Sequence, residues 1–265
     1  MPALYTHNKF GKLVISQLPS SVKSIIRKYP DEFRIGLQGP DFLFFNITNS
    51  KLPKMGIFIH HNNVYDFMKN AADVVKQYGA NDPRYSYIVG FICHFVLDNM
   101  CHPFVNKFMK DTGCGHVEIE GDLENLILSK DNFKPEHYPI YKLIPTDYNV
   151  AVHMQDFYSD ITCDDIYRSI QLMKRIKKLF VAPDCFKRTF LKISMMGTFH
   201  YKSLKGHMII PKANKKCRKE TEILYNIMIN SVDTAVSLIN DFTISALSGT
   251  ILPKAFHCDF NGNLY

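Results

Sequence analysis

One stretch constrains this chain more than any other: Gly90-Phe-Ile-Cys-His-Phe-Val-Leu-Asp-Asn-Met-Cys-His-Pro103, apolar around most of its circumference and polar along one line. Wound as a helix, it puts His94, Asp98 and His102 at i, i+4 and i+8 on one face, ~6 Å apart along the axis. Phe91, Ile92, Phe95, Val96 and Leu97 fill the other faces, so the helix belongs in a core. A buried stripe of imidazole and carboxylate must be satisfied, and a metal ion does this for both types at once. His116 and Glu120 repeat the spacing on the next predicted helix. Two such helices side by side bring five donors to one point, as in metal sites built inside helical bundles. A single HxxxD pair arises often by chance; two within so short a stretch, one extended by a third donor, carry the argument. The mixed donors suit zinc, whereas calcium and magnesium favour oxygen alone.

The rest of the sequence supplies a helical setting for that stripe. Periodicity near 3.6 dominates, and no run alternates with period two. Helices are expected over about 7–29, 64–78, 85–101, 116–128, 162–180, 185–196 and 221–247. Gly36-Leu37-Gln38-Gly39-Pro40-Asp41 reads as a rigid turn that presents Asp41. Residues 132–150 read as an extended loop, and 211–219 as a basic loop. The expectation is an all-α multi-helix bundle forming one domain over 1–265, with metal ligands within 1–130 and a packing half over 150–250. At 265 residues, 46% hydrophobic and 22% charged, the chain can bury such a core. A net charge of +7 is compatible with an anionic partner without naming one. No uninterrupted apolar run reaches the ~18–20 residues of a transmembrane segment, and no secretory signal is visible, so the expected location is cytoplasmic. Seven cysteines without a CxxC pair suggest free thiols rather than a disulfide framework, with Cys93 and Cys101 as small core residues.

His7, Gly39-Pro40-Asp41, His60, His94-x3-Asp98, His102-Pro103 and His116-x3-Glu120, in this order, resemble the bacterial zinc-dependent phospholipase C family, itself related to single-strand-specific zinc nucleases. The resemblance covers roughly residues 1–130 by motif. It implies the all-α fold and two or three zinc ions. Asp41, His60, His94 and Asp98 would hold one, Asp98 would bridge to a second shared with His7, and His102, His116 and Glu120 would hold the third. His61 is the alternative to His60. The secreted members complete their site with an N-terminal tryptophan; this chain has no Trp, so the resemblance implies completion by water or by an N-terminus processed at Pro2. Those members also space the equivalents of Asp98 and His102 more widely.

The implied chemistry is phosphodiester hydrolysis by a metal-activated water, with Asp41 as ligand and candidate general base. A phospholipid is the expected substrate, reached by peripheral membrane contact. Glu120 leans the same way, because the related nucleases usually carry Asp there. The alternatives are a zinc nuclease or other phosphodiesterase acting on nucleic acid, and a non-catalytic helical protein with a structural metal cluster. Asp73, Asp122 and Glu124 are candidates to support the histidines. Phe42, Phe44, Phe45, Phe58 and Tyr65 could wall the site. The basic segment Tyr167–Lys192 reads first as a solvated face over a core.

Overall fold

The computed structural model describes residues 4–196, 207–209, 211, 214 and 217–265. The proposed N-terminus at Pro2 lies outside them, as do residues 212, 213, 215 and 216 of the basic loop 211–219. Among the described residues the regular structure is all helical, with no strand and one isolated bridge between Cys258 and Leu264. The order is α1 (Leu4–Gln17), α2 (Ser20–Lys28), α3 (Pro30–Gly36), a 3₁₀ turn (Asp41–Phe45), α4 (Lys51–His61), α5 (Tyr65–Tyr78), α6 (Pro83–Thr112), α7 (His116–Lys130), α8 (Tyr148–Gln155), α9 (Cys163–Phe180), α10 (Cys185–Met196), α11 (Arg218–Asn230) and α12 (Val232–Ser248).

The long helix α6 is the axis, with α1, α3, α5, α7, α11 and α12 packed around it. It starts on a built cap: the Asp82 carboxylate accepts from Arg84 N–H at 3.0 Å, and Pro83 occupies the first turn, where its missing N–H is harmless. By length and composition α6 could cross a bilayer. Most of its apolar surface is instead buried inside this protein, 78% of the most apolar window, which marks a core helix.

Several expected boundaries move, each for a local reason. The helix expected over 7–29 breaks at Leu18-Pro19, because Pro19 has no N–H to continue it. The helix expected to stop near Pro103 runs on to Thr112. Val105 and Phe108 extend its buried face, and that packing offsets the one hydrogen bond lost at Pro103. The helix expected over 221–247 splits at Ser231, whose hydroxyl donates to Ile227 O at 2.7 Å and competes with the backbone. Helices α3, α4 and α8 were not foreseen, and the 132–150 stretch carries two 3₁₀ turns rather than running extended.

The thiol expectation is corrected at one pair. Cys114, just past α6, is disulfide-bonded to Cys217 at the start of α11, joining points 103 residues apart; Cys93, Cys101, Cys163, Cys185 and Cys258 are free. Cys93 and Cys101 are buried in the core as expected.

Candidate metal centre

Five elements converge to build the site. Helix α1 supplies His7, the 3₁₀ turn supplies Asp41, and the last turn of α4 supplies His60. Helix α6 supplies His94, Asp98 and His102, and the first turns of α7 supply His116 and Glu120. Two glycine contacts make the convergence possible. Where α3 crosses α6, a Cβ on Gly36 would lie 2.2 Å from Tyr87 O, and one on Gly90 would lie 2.4 Å from Phe33 O, so only glycine lets the backbones meet. Gly39 adopts φ +50°, and a Cβ there would sit 2.2 Å from the His94 ring. The turn therefore lies flat on His94 and delivers Asp41 beside it.

The donors fall into three groups whose ligating atoms lie within 4.8 Å of one another: Asp41, His60 and His94; His7, His94 and Asp98; and His102, His116 and Glu120. His94 belongs to two of them. Its Nε2 is 3.2 Å from Asp98 Oδ2 and 4.0 Å from Asp41 Oδ1, and His60 Nε2 is 3.1 Å from the same Asp41 oxygen. Asp98 Oδ1 faces His7 Nε2 at 3.3 Å and His102 Nε2 at 3.6 Å, so this carboxylate touches histidines of all three groups. Glu120 Oε1 lies 3.0 Å from His116 Nε2 and 3.6 Å from His102 Nε2. Of the adjacent pair, His60 faces Asp41, whereas His61 points outward against Asn261.

Protons alone do not satisfy this arrangement. His60 Nδ1 lies 2.8 Å from Gly56 O and His94 Nδ1 3.2 Å from Leu37 O, contacts in which the ring N–H must donate. The Nε2 lone pairs are then aimed at carboxylate oxygens, acceptor against acceptor. His60 Nε2, His94 Nε2, Asp98 Oδ2, both ring nitrogens of His102 and Glu120 Oε2 are buried without a hydrogen-bond partner. Leaving that many polar atoms orphaned in a core is costly, and bound cations are the group that would satisfy them. The electrostatics agree. Burial, reinforced by neighbouring His94, lowers the His7 pKa and keeps its imidazole neutral. Burial opposes ionisation of Asp98 and Glu120, yet the surrounding histidines prevail, holding Asp98 well below the usual carboxylate range and Glu120 at about 2. A neutral His7 and the ionised Asp98 and Glu120 are in the protonation states that ligate zinc, whereas His102, raised to about 9 by Asp98 and Glu120, would give up a proton to join them. The donor set fits the metal.

The supporting contacts differ from expectation. Behind His60 and His94 stand backbone carbonyls, not the acidic side chains. Asp73 is exposed on α5, and Asp122 accepts from Asn214 N–H at 3.0 Å. Glu124 alone of the three supports the site: buried, it accepts the Tyr5 N–H and so anchors the start of α1 two residues before His7. Among the aromatics, Phe44 packs on the His60 ring at 5.3 Å, while Phe42 is buried against Tyr158, Phe45 packs against His207, Phe58 is exposed and Tyr65 stacks on His257.

The wall that sequence reasoning missed is Phe260. Its ring lies 4.8 Å from His60 and 5.7 Å from His94, held by a loop in which the Asp259 carboxylate accepts from the Asn261 and Asn263 N–H groups. Nothing in the local pattern near residue 260 signals this. Lys177 was also misread as solvated: it is fully buried, and burial pulls its pKa down although the charges of Glu124, Asp41 and Glu120 oppose the shift. A signal existed here, because Lys177 falls on the apolar stripe Ile166, Ile170, Met173 and Phe180.

Comparison with known proteins agrees with this geometry. Residues 6–179, well over half of the chain, match the family described as zinc dependent phospholipase C. The match spans the 3₁₀ turn and every helix that supplies a donor. No curated protein and no solved structure matches the chain. The chain belongs to the zinc-dependent phospholipase C family.

Proposed function

We propose that this member of the zinc-dependent phospholipase C family hydrolyses a phosphodiester bond, with a phospholipid as substrate. His7, Asp41, His60, His94, Asp98, His102, His116 and Glu120 are its ligands for two or three zinc ions. The observation that carries the proposal is the set of buried nitrogen and oxygen atoms without hydrogen-bond partners on His60, His94, His102, Asp98 and Glu120, distributed over the three adjoining donor groups. Zinc, when bound, supplies Lewis acidity: it brings a water toward a pKa of ~7 and offsets charge on a phosphoryl oxygen. The rest is done by the chain. Asp41 Oδ1 stands on the ligand side, beside His60 and His94, where a carboxylate can accept the proton of an attacking water. The carbonyls of Gly56 and Leu37 hold the two rings in the tautomer that keeps Nε2 available. Phe44 and Phe260 exclude water from the His60 side. His116, with 27% of its side chain exposed, marks the solvent-facing end.

The test is hydrolysis by zinc-loaded protein of a soluble chromogenic phosphodiester, phosphatidylcholine and single-stranded DNA. Turnover of the first two and not the third is the expected result. Cleavage of DNA alone would replace the proposal with a nuclease, and zinc binding without any turnover would replace it with a structural cluster. The cytoplasmic location is part of the same proposal, and the Cys114–Cys217 bond sets its test. A reducing compartment keeps thiols reduced, so cytoplasmic protein should present all seven cysteines as titratable thiols, and protein from an oxidising compartment five.

A further inference from the structure

Helix α10 is apolar on two faces, and among the described residues only one of them is covered. Leu191 and Met195 turn inward and form a small separate cluster with Phe180, Ala182 and Met208. On the opposite side Phe186, Phe190, Ile193 and Met196 are 84%, 69%, 65% and 70% exposed. Their spacing of four, three and three residues makes one continuous stripe along the helix. Single exposed apolar residues need no explanation, but a contiguous stripe with two open phenyl rings marks a contact surface. The flanks of the stripe are cationic. Lys187 and Lys192 lie along its borders, Arg188 falls on the covered side with Leu191 and Met195, and α10 contains no acidic residue. Lys187 and Arg188 are half-buried, bonded to the carbonyls of Val181, Ala182 and Pro183, which fixes α10 against the end of α9. Lys178 and Leu179, at that end of α9, are exposed as well.

We infer that α10 is a docking surface for an anionic lipid bilayer, with Phe186, Phe190 and Ile193 entering the acyl boundary and the flanking cations meeting headgroup phosphates. Interfacial helices combine an apolar face carrying Phe or Leu with Lys and Arg at its edges. The charge decides between a bilayer and a second copy of this chain: pairing two α10 helices would set Lys187 and Lys192 of one against those of the other, whereas an anionic headgroup layer complements them. The inference rests on the phospholipid reading of the metal centre, and it names how that centre reaches its substrate. The seat of docking is separate from the ligands, so the two can fail separately.

The experiment is co-sedimentation of the full chain with vesicles of phosphatidylcholine alone or with one-third phosphatidylserine, alongside hydrolysis of the soluble chromogenic phosphodiester. Wild type should sediment with the mixed vesicles and less with the neutral ones. Phe186→Ser with Phe190→Ser should lower partitioning to both by roughly tenfold or more, and Lys192→Glu should lower it to the mixed vesicles by roughly fivefold. Soluble-substrate turnover should be unchanged in each variant, which also shows that they fold. Equal partitioning of wild type and the double Ser variant overturns the inference, as does concentration-dependent dimerisation that the double variant abolishes. Vesicle binding without hydrolysis of any phosphodiester would sink the proposed function and leave the docking surface standing.

Discussion

The eight donors divide into an inner set and an outer set, and the two are held by different means. In the inner set His7, Asp41, His60, His94 and Asp98 are all at most 7% exposed, and two of the rings are pinned by backbone carbonyls. In the outer set His102 finds no hydrogen-bond partner on either ring nitrogen, and His116 is partly open to solvent. His102 and Glu120 are as buried as the inner set and His116 bonds Glu120 at 3.0 Å, and in the oxidised protein Cys114, two residues before His116, is also tied to Cys217. The inner set is preorganised by burial and backbone bonding, and its geometry should survive loss of metal. On the proposed function, the outer set should depend on the metal and, in oxidised protein, on the tether. Burial disfavours the charged form of His102, but Asp98 and Glu120 raise its pKa to about 9, so without metal it carries a proton that zinc must displace.

The largest predicted effect comes from His94→Ala, because His94 serves two of the three donor groups. Removing a group behind a ligand costs about 10–100-fold in metal affinity or activity, so losing this ligand should exceed 100-fold in phosphodiester turnover. A variant retaining a tenth of wild-type turnover would erase the distinction between the sets. Next is Cys217→Ser. Opening a loop of this length should cost at most about 4–5 kcal/mol of stability in thermal melts. Stepwise zinc titration should show the outer set weakened more than the inner; equal weakening breaks the comparison.

A smaller effect is expected at Glu124, which ties down the start of α1. Burial raises its pKa from 4.5 to about 7, against the opposing pull of Lys177 and the Tyr5 N–H. A raised carboxyl pKa means that the folded state holds the proton more tightly. That contribution to stability is fully present below about pH 4.5 and is lost as pH rises through about 7. Glu124→Gln should therefore flatten the pH dependence of metal-free stability across that window, by a span on the order of 3 kcal/mol. An unchanged slope in denaturant melts would show that Glu124 is not the titrating group. The smallest effect belongs to His116→Ala, expected to lower turnover about tenfold and to remove zinc from the outer set alone, as read by elemental analysis.

A different division governs what the sequence could reveal. His94, Asp98, His102, His116 and Glu120 were readable because the helical period alone puts them on shared faces of α6 and α7. His7, Asp41 and His60 lie on separate elements, and only their order in the family pattern drew them in. Helix α4, which carries His60, was invisible because Pro53 and Gly56 interrupt its pattern. The contacts of Phe260, the Cys114–Cys217 bond and the carbonyls behind the histidines depend on tertiary approach, which no local pattern encodes. Lys177 shows the reverse case, where the period held the answer and the residue type obscured it.

The central claim is that these side chains hold zinc, and the most direct measurement is zinc per chain in the purified protein and in Asp98→Ala. Asp98 touches histidines of all three donor groups. The account predicts two or three zinc ions in wild type and loss of most of them in the variant. Absence of zinc from wild type, or an unchanged zinc content in Asp98→Ala, would contradict it.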